Sequence, residues 1–403
     1  MDRIYLDHSA TTPVDARVLN AMLPHLRDGY GNASSAHALG RRARVAVEES
    51  RERVAAHLGA EPSEIIFTSG GTEADNMALR GMLQDSGRGL VTSPLEHAAI
   101  LRCTERLAEI GNPVTMLTPQ ASGAVGPREV ERAITAETGL VSLMYVNNEL
   151  GTVMPLRAIS KVCRAHGVPF HTDAIQAASL LPLNVQALGV DLMSLSGHKM
   201  YGPKGVGVLF VRAGLDVRPL LLGGAQERDR RGGTENVAAI VGMACALDLA
   251  MASRERNAAH ITRLRRCLEQ GIRTCLGADV VFNTPTGDDA EVAPHILNVS
   301  FTSAGGHPLD GEMLLLNLDV QGIMVSAGSA CASGALEPSH VLLGLGRDRE
   351  TASATLRFSL GKDTTAAEID ATVTRLADIL ARMREHRVVP SQSRPISPVW
   401  NAH

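Results

Sequence analysis

Short runs of aliphatic and β-branched residues alternate along the first two-thirds of the chain with longer stretches whose apolar residues recur every three or four positions. The short runs are EIIFTS (64–69), LVTS (90–93), VTML (114–117), LVSLMYV (140–146), VPFHT (168–172), DLMSLS (191–196) and GVGVLFV (205–211). Near-continuous apolar runs separated by helical patterns predict βαβ units and a mainly parallel sheet covered on both faces. Within 41–58, Val47, Val54 and Leu58 share a helical face, and Gly59 is placed to cap its C-terminus. An Ala-, Leu- and Arg-rich stretch over about 236–275 reads as one long helix. Beyond it the pattern changes to separate strands, HILNVSF (295–301), GIMVS (322–326) and ATLRFSL (from 354), with helical patterns at about 307–319 and 365–386.

These segments predict an α/β protein with a large domain over 15–260. A smaller α+β domain is expected from 1–14 together with 261–387, and 388–403, with three prolines, reads as a tail. A length of 403 residues exceeds the usual single-core limit, which favours two domains, and the 44% hydrophobic content can fill both cores. Aromatics are only 3%, so the core is expected to be small and aliphatic.

Lys+Arg 39 against Asp+Glu 43 gives a formal charge of -4 without a basic block, which argues against nucleic acid as a partner. No apolar signal core opens the chain and no unbroken apolar run reaches about 18 residues, so no membrane association and a cytoplasmic location are expected. The six cysteines, Cys103, Cys163, Cys245, Cys267, Cys275 and Cys331, show no C-x-x-C or zinc spacing. Reduced thiols are expected, four or five of them buried as small hydrophobes.

Three segments carry candidate chemistry. TSGGTEADN (68–76) follows a strand and enters a helix, so free N–H groups at Ser69, Gly70, Gly71 and Thr72 could hold a phosphate at the helix N-terminus. The alternative is an ordinary strand-to-helix turn capped by Thr72. The segment matches neither a Walker A loop nor G-x-G-x-x-G, which disfavours a nucleotide. HTDAIQ (171–176) ends a strand on Asp173, where open parallel sheets place their ligands. A carboxylate there could hold a protonated pyridine nitrogen, although it could equally cap a helix. SLSGHKMYGPKGVG (194–207) puts Lys199 past the next strand, where a lysine shielded from water can lose its proton and form a Schiff base. Each segment is bland alone, but their order points to pyridoxal 5'-phosphate.

At this point the chain resembles the class V aminotransferase-like enzymes of pyridoxal-phosphate fold type I, and within them the cysteine desulfurases, closest to the nitrogen-fixation type. The resemblance rests on YLDHSATTPV (5–14), YGNASSAH (30–37), the three segments above, RRGGTEN (230–236), SAGSACASGALEPSHV (326–341) and LRFSLG (356–361). It implies a seven-stranded, mainly parallel sheet and a homodimer. It makes Lys199 the cofactor lysine, Asp173 the ring-nitrogen partner and Gln176 the ring-hydroxyl partner. His97 would stack on the ring and assist proton transfer, while Gly71, Thr72, Ser196 and His198 would hold the phosphate. Thr234 would reach the phosphate of a neighbouring subunit. Asn148 would lie near the ring hydroxyl and substrate, and Arg357 would clamp the substrate carboxylate.

Cys331 would take the sulfur of L-cysteine as a persulfide, with L-alanine released. An iron–sulfur scaffold is the implied acceptor, and Cys331 could transiently ligate metal with that partner. Three positions depart from the usual pattern: Ala225 where His is common, His8 where Asn or Tyr is usual, and Ala33 where Pro is usual. Other readings are a selenocysteine lyase or aminotransferase of the same fold, and an inactive scaffold for iron–sulfur assembly.

Overall fold

The structure, a computed structural model, describes residues 3–287, 291–302, 309–327 and 337–387. The elements up to Val211 are β1 (Ile4–Tyr5), α1 (Ala16–Arg27), α2 (Ala38–Leu58), β2 (Ile65–Thr68), α3 (Gly71–Leu83), β3 (Gly89–Thr92), α4 (Ala98–Glu109), β4 (Val114–Met116), α5 (Pro127–Ala133), β5 (Thr138–Ser142), α6 (Leu156–Ala165), β6 (Phe170–Asp173), α7 (Val185–Leu188), β7 (Leu192–Ser196) and β8 (Gly207–Val211). Then follow α8 (Val237–Leu276), β9 (Val280–Phe282), β10 (Ile296–Phe301), α9 (Gly311–Val320), β11 (Ile323–Met324), α10 (His340–Gly344), α11 (Arg349–Ser353), β12 (Thr355–Ser359) and α12 (Ala366–Arg387).

Seven strands form one sheet in the order β2-β8-β7-β6-β5-β3-β4. Only β8 runs against its neighbours, and the other pairings are parallel. Because β8 opposes both β2 and β7, those two run the same way as β6, β5 and β3, and the carboxyl ends of all five meet at one edge of the sheet. Strands β2, β3, β5, β6, β7 and β8 are buried at every residue, which explains their continuous apolar runs. The edge strand β4 is exposed at Thr115 and Met116.

Helix α2 buries Val47, Val54 and Leu58 and ends on Gly59, whose φ of 66° is the left-handed cap a residue without Cβ adopts readily. The 40-residue α8 spans two apolar clusters. Its first half, through Ala250, packs in the cluster around the large sheet, and Ile261, Leu264, Leu268 and Ile272 enter a second one with Phe301 and Phe358. By length and composition α8 is apolar enough to cross a membrane, yet 61% of its most apolar stretch is buried inside the protein.

The second cluster lies against a three-stranded antiparallel sheet, β12-β10-β9. Strand β1 pairs in parallel with β11. From there the chain crosses to the large sheet. His8 N–H donates to the Ser359 carbonyl (3.1 Å) and Thr12 N–H to that of His198 (3.0 Å). Residues 4–12 therefore strap the two layers together.

Two expectations need correction. Cys103 and Cys163 are buried and Cys245 is half-buried, but Cys267 and Cys275 are exposed, because they lie on the solvent side of α8. Among the described cysteines, fewer are buried than the small-hydrophobe reading required. Thr72 does not cap α3 either: Gly70 is the N-cap, with a φ of 157° and no side chain to offer. The expected tail, 388–403, lies outside the described residues.

Candidate active site

The edge where five strands end gathers the candidate residues. After β2 comes the turn into α3, after β3 comes His97, after β5 Asn148, at the end of β6 Asp173, and after β7 Lys199. Ligand sites at the carboxyl edge of open α/β sheets arise this way, because successive loops converge there.

Helix α3 starts at Gly71 without a side-chain cap. Its first N–H groups are free to donate and its dipole is positive at that end. A Cβ on Gly71 would fall 2.1 Å from Ile175 Cδ1, so the helix start packs directly against the residue two beyond Asp173. Ser196, buried, ends β7 beside it, its β-carbon 3.6 Å from the same point. His198 Nδ1 lies 3.2 Å from Thr11 Oγ1, and burial, with Lys199 and Lys204 nearby, pulls its pKa down to about 4, so the ring is neutral.

Asp173 is buried, and its Oδ1 accepts the Ile175 N–H at 2.9 Å. No helix follows, so this is a local turn bond and not an N-cap. Burial raises its pKa, while His97 and Lys199 oppose that rise. His97 caps α4, with Nδ1 accepting the Ala99 N–H at 3.1 Å. That bond makes Nε2 the protonated nitrogen of the neutral ring. The protein around it holds its pKa below the ordinary value.

Lys199 Nζ donates to the carbonyls of Ser9 and Ala10, the latter at 2.8 Å. Burial, and then Arg357, lower its pKa to about 8 against the pull of Asp173 and Asp7. The amine is therefore far closer to neutrality than a solvated lysine. Gln176 Nε2 shares the Ser9 carbonyl at 2.9 Å, and its Oε1 lies 3.4 Å from His295 Nε2.

Arg357, only 4% exposed, is no surface strand charge. Its Nη2 donates to Asp7 Oδ1 at 3.0 Å and its Nη1 to the Asn148 carbonyl at 2.9 Å. Asp7, Ser9 and Ala10 were not singled out as site residues by the sequence, although they lie in the YLDHSATTPV motif. Thr234 is exposed and lines a cavity of about 140 Å³ with Thr68 and Ser69 of its own chain. The arginines of its loop are engaged elsewhere: Arg228 donates to the Pro62 carbonyl, Arg230 to that of Ser63, and Arg231 pairs with Glu73 at 2.8 Å. Cys331 lies outside the described residues. Among the described residues no three His, Cys, Asp or Glu side chains converge to hold a metal ion.

Behind the edge lies a polar cluster that sequence reasoning missed. His171 is fully buried, with Nδ1 2.8 Å from Ser142 Oγ and Nε2 3.0 Å from Ser194 Oγ. Asp75 Oδ1 is 3.8 Å from Nε2. Burial, reinforced by Asp173, pushes Asp75 well above the usual carboxylate range, and Glu96 behaves likewise.

The donor set suits pyridoxal 5'-phosphate: an uncapped helix start for the phosphate, a carboxylate at a strand end, and a shielded lysine of lowered pKa. The model of the family described as Aminotransferase class-V matches residues 4–372. The cysteine desulfurase IscS of Dictyoglomus turgidum is 42% identical over 384 residues, covering 94% of this chain and 95% of the relative. A solved NifS-like protein superposes with a TM-score of 0.86 at 36% identity, covering 94% of this chain and all of the other. A structure described as SspA in complex with cysteine gives 0.77 at 36% identity, over 90% of this chain and 100% of that one.

Proposed function

The chain belongs to the class-V aminotransferases and, within them, to the cysteine desulfurases; from that premise we propose that it converts L-cysteine to L-alanine and passes the sulfur to Cys331. The observation that carries the reading is the meeting of Lys199, Asp173, His97 and the uncapped start of α3 at one sheet edge, with Arg357 bonded to the Asn148 loop there.

Pyridoxal 5'-phosphate, when bound, supplies an electron sink that lets the α-proton of the amino acid leave. The N–H groups of Gly71 and Thr72, with Ser196 and His198, would hold its phosphate, and Asp173 would accept a hydrogen bond from the protonated ring nitrogen. Gln176 and Asn148 would orient the ring hydroxyl, and His97 would stack on the ring. Lys199 would attach the cofactor, and its amine would move the proton at the substrate α-carbon. Arg357 binds the substrate carboxylate with the N–H groups left after Asp7 and Asn148 are served. Cys331, as thiolate, attacks the substrate sulfur: the carbon–sulfur bond breaks, a sulfur–sulfur bond forms, and the carbon skeleton leaves as L-alanine. One cysteine and one thiol become one alanine and one persulfide, without an external oxidant.

The two apolar clusters support a division into 15–260 and 1–14 with 261–387. A homodimer, in which Thr234 reaches the neighbouring phosphate, fits the exposure of Thr234 and of Leu222 at 85% in the isolated chain. Delivery to an iron–sulfur scaffold, with transient metal ligation by Cys331, belongs to the same reading and rests on the family resemblance alone. A cytoplasmic setting and a role dedicated to nitrogen fixation are finer readings of the same resemblance. The test is incubation of the purified protein with L-cysteine and a thiol reductant. Alanine and sulfide are expected, with one added sulfur atom on the Cys331 peptide when the reductant is left out, whereas a keto acid would point to transamination.

A further inference from the structure

The segment that carries Thr234 is fastened to the open edge of the large sheet. Strand β2 ends that sheet, so the polar backbone groups on its free side need partners from elsewhere. Arg51 Nη1 donates to the Ile65 carbonyl (2.9 Å), and Glu227 Oε2 accepts the Phe67 N–H (2.9 Å). One residue past the strand, the Ser69 N–H donates to Glu73 Oε2 (2.7 Å). Positions 65, 67 and 69 follow the two-residue repeat of a strand, so all three face the same side. Two carboxylates then tie the segment down. Glu227 belongs to it, and Glu73 holds its Arg231, with Nε to Oε1 at 2.8 Å and Nη2 to Oε2 at 3.1 Å.

Between these two anchors the backbone is strained. Glu227, Arg228 and Asp229 have φ of 47°, 57° and 63°, three consecutive residues with side chains in the left-handed region. Such a run persists only where surrounding contacts over-determine it. Beyond it the Gly232 N–H donates to the Leu221 carbonyl (2.9 Å) and the Gly233 N–H to Gln226 Oε1 (3.0 Å), which closes the segment on itself. The Arg231–Glu73 pair is the anchor nearest Thr234. Both side chains are largely shielded from water, and the contact is bidentate. Burial would raise the Glu73 pKa, but Arg231 and the Ser69 N–H hold it below the ordinary value, so the carboxylate is charged. On its other side Arg231 Nη1 lies against Gly233: a Cβ there would fall 3.3 Å from it, and the glycine's φ of 111° is one that side chains rarely allow. One guanidinium thus spans from the carboxylate beside the Ser69 turn to the residue directly before Thr234.

We propose that Arg231 is a positioning residue for Thr234: anchored on Glu73, it fixes the backbone at Gly233 so that Thr234 is presented outward to a second copy of this chain. The inference rests on the reading in which Thr234 completes the phosphate site of a neighbouring subunit, and it adds a direction to that reading. The ion pair stands beside its own subunit's phosphate turn, yet it acts on the cofactor of the other subunit. Its own turn keeps the Ser69 bond to Glu73 whether or not Arg231 is present.

The test measures how fast pyridoxal 5'-phosphate leaves the holoenzyme, from the loss of visible absorbance on dilution into an excess of an unrelated cofactor-free acceptor protein. Heterodimers are assembled from two differently tagged chains, one carrying Lys199→Ala, so that only the other holds the coloured, lysine-bound cofactor. Arg231→Met placed on the Lys199→Ala chain should speed release from the coloured chain about tenfold, the change expected for one lost charge-assisted hydrogen bond. Placed on the coloured chain itself, it should leave release within about twofold of wild type. Glu73→Gln, which keeps an oxygen for the Ser69 N–H, should give the same asymmetry. On the Lys199→Ala chain, Arg231→Met should add nothing to the effect of Thr234→Val. Where Thr234→Val speeds release from the opposite chain, equal effects of Arg231→Met in both placements, or none in either, overturn the proposal alone. If Thr234→Val does not act from the opposite chain, or light scattering shows a monomeric holoenzyme, the reading of Thr234 fails and the inference falls with it.

Discussion

Replacing Glu227 by alanine should cost about 3–5 kcal/mol of folding stability, the range for breaking a buried ion pair by removing one partner. Glu227 is 5% exposed and its two oxygens accept from Arg51 Nη1 (2.7 Å), Arg51 Nη2 (2.8 Å) and the Phe67 N–H (2.9 Å). Arg51, 3% exposed, keeps the Ile65 carbonyl, a long contact to Glu48 and the face of the Phe67 ring once that carboxylate is gone. The lost Phe67 acceptor alone accounts for about 1–3 kcal/mol. Glu227 also lines the small cavity near Thr234, so water can reach the stranded guanidinium and hold the cost to this range. Backbone strain does not offset it: Glu227, Arg228 and Asp229 have φ of 47°, 57° and 63°, and alanine at 227 is as strained there as glutamate. Urea denaturation followed by far-UV circular dichroism reads the difference. The double variant Arg51→Met/Glu227→Leu should lose less than Glu227→Ala, because it strands no charge. A loss below about 1 kcal/mol for Glu227→Ala would refute the account.

Lys199 should react with pyridoxal phosphate, in cofactor-free protein, at a rate rising through a midpoint near pH 8, read by stopped-flow absorbance; a midpoint near 10.5 would contradict its shielding. With the unfolded lysine titrating near 10.5, the unfolded chain holds the extra proton between these values, so this group makes stability rise with pH across that window. Asp75 has the opposite sign: burial raises the folded carboxyl's pKa above its ordinary value, so stability falls as pH climbs through the range where the unfolded carboxyl has already lost its proton. Asp75→Asn, which resembles the neutral acid, should flatten that dependence in denaturation curves collected from pH 4 to 8, and an unchanged slope would show Asp75 to be ionised. Cys331→Ala should retain cofactor colour and lose persulfide formation by mass spectrometry; normal sulfide release from that variant would move the nucleophile elsewhere.

The alternation of short apolar runs with helical patterns was legible because a sheet buried on both faces leaves a two-sided apolar signature, as in β5 and β6. Lys199, Asp173 and Gly71 were legible because turns after strands carry the chemistry, and the order of those turns survives in the sequence. What did not show was who meets whom across long separations. Nothing in the pattern of VVF at 280–282 marks it as an edge strand against β10, or IY at 4–5 as the partner of Ile323. The burial of Arg357 was not legible, because its counter-ion, Asp7, lies 350 positions away. Asp75 was hidden for a different reason: a polar residue on an amphipathic helix ordinarily faces water, and only the fold turns it toward His171.

The strap formed by residues 4–12 bears on inheritance as well as on shape. Its amide and carbonyl groups are shared among Met324, Ser359, and the neighbours His198 and Lys199, three places scattered over the rest of the chain. A chimera that exchanges only the first dozen residues with a relative therefore moves one side of every such pairing and leaves the other behind. Exchanges tolerated anywhere else on the surface should fail at this short stretch unless 197–201, 322–326 and 355–361 travel with it.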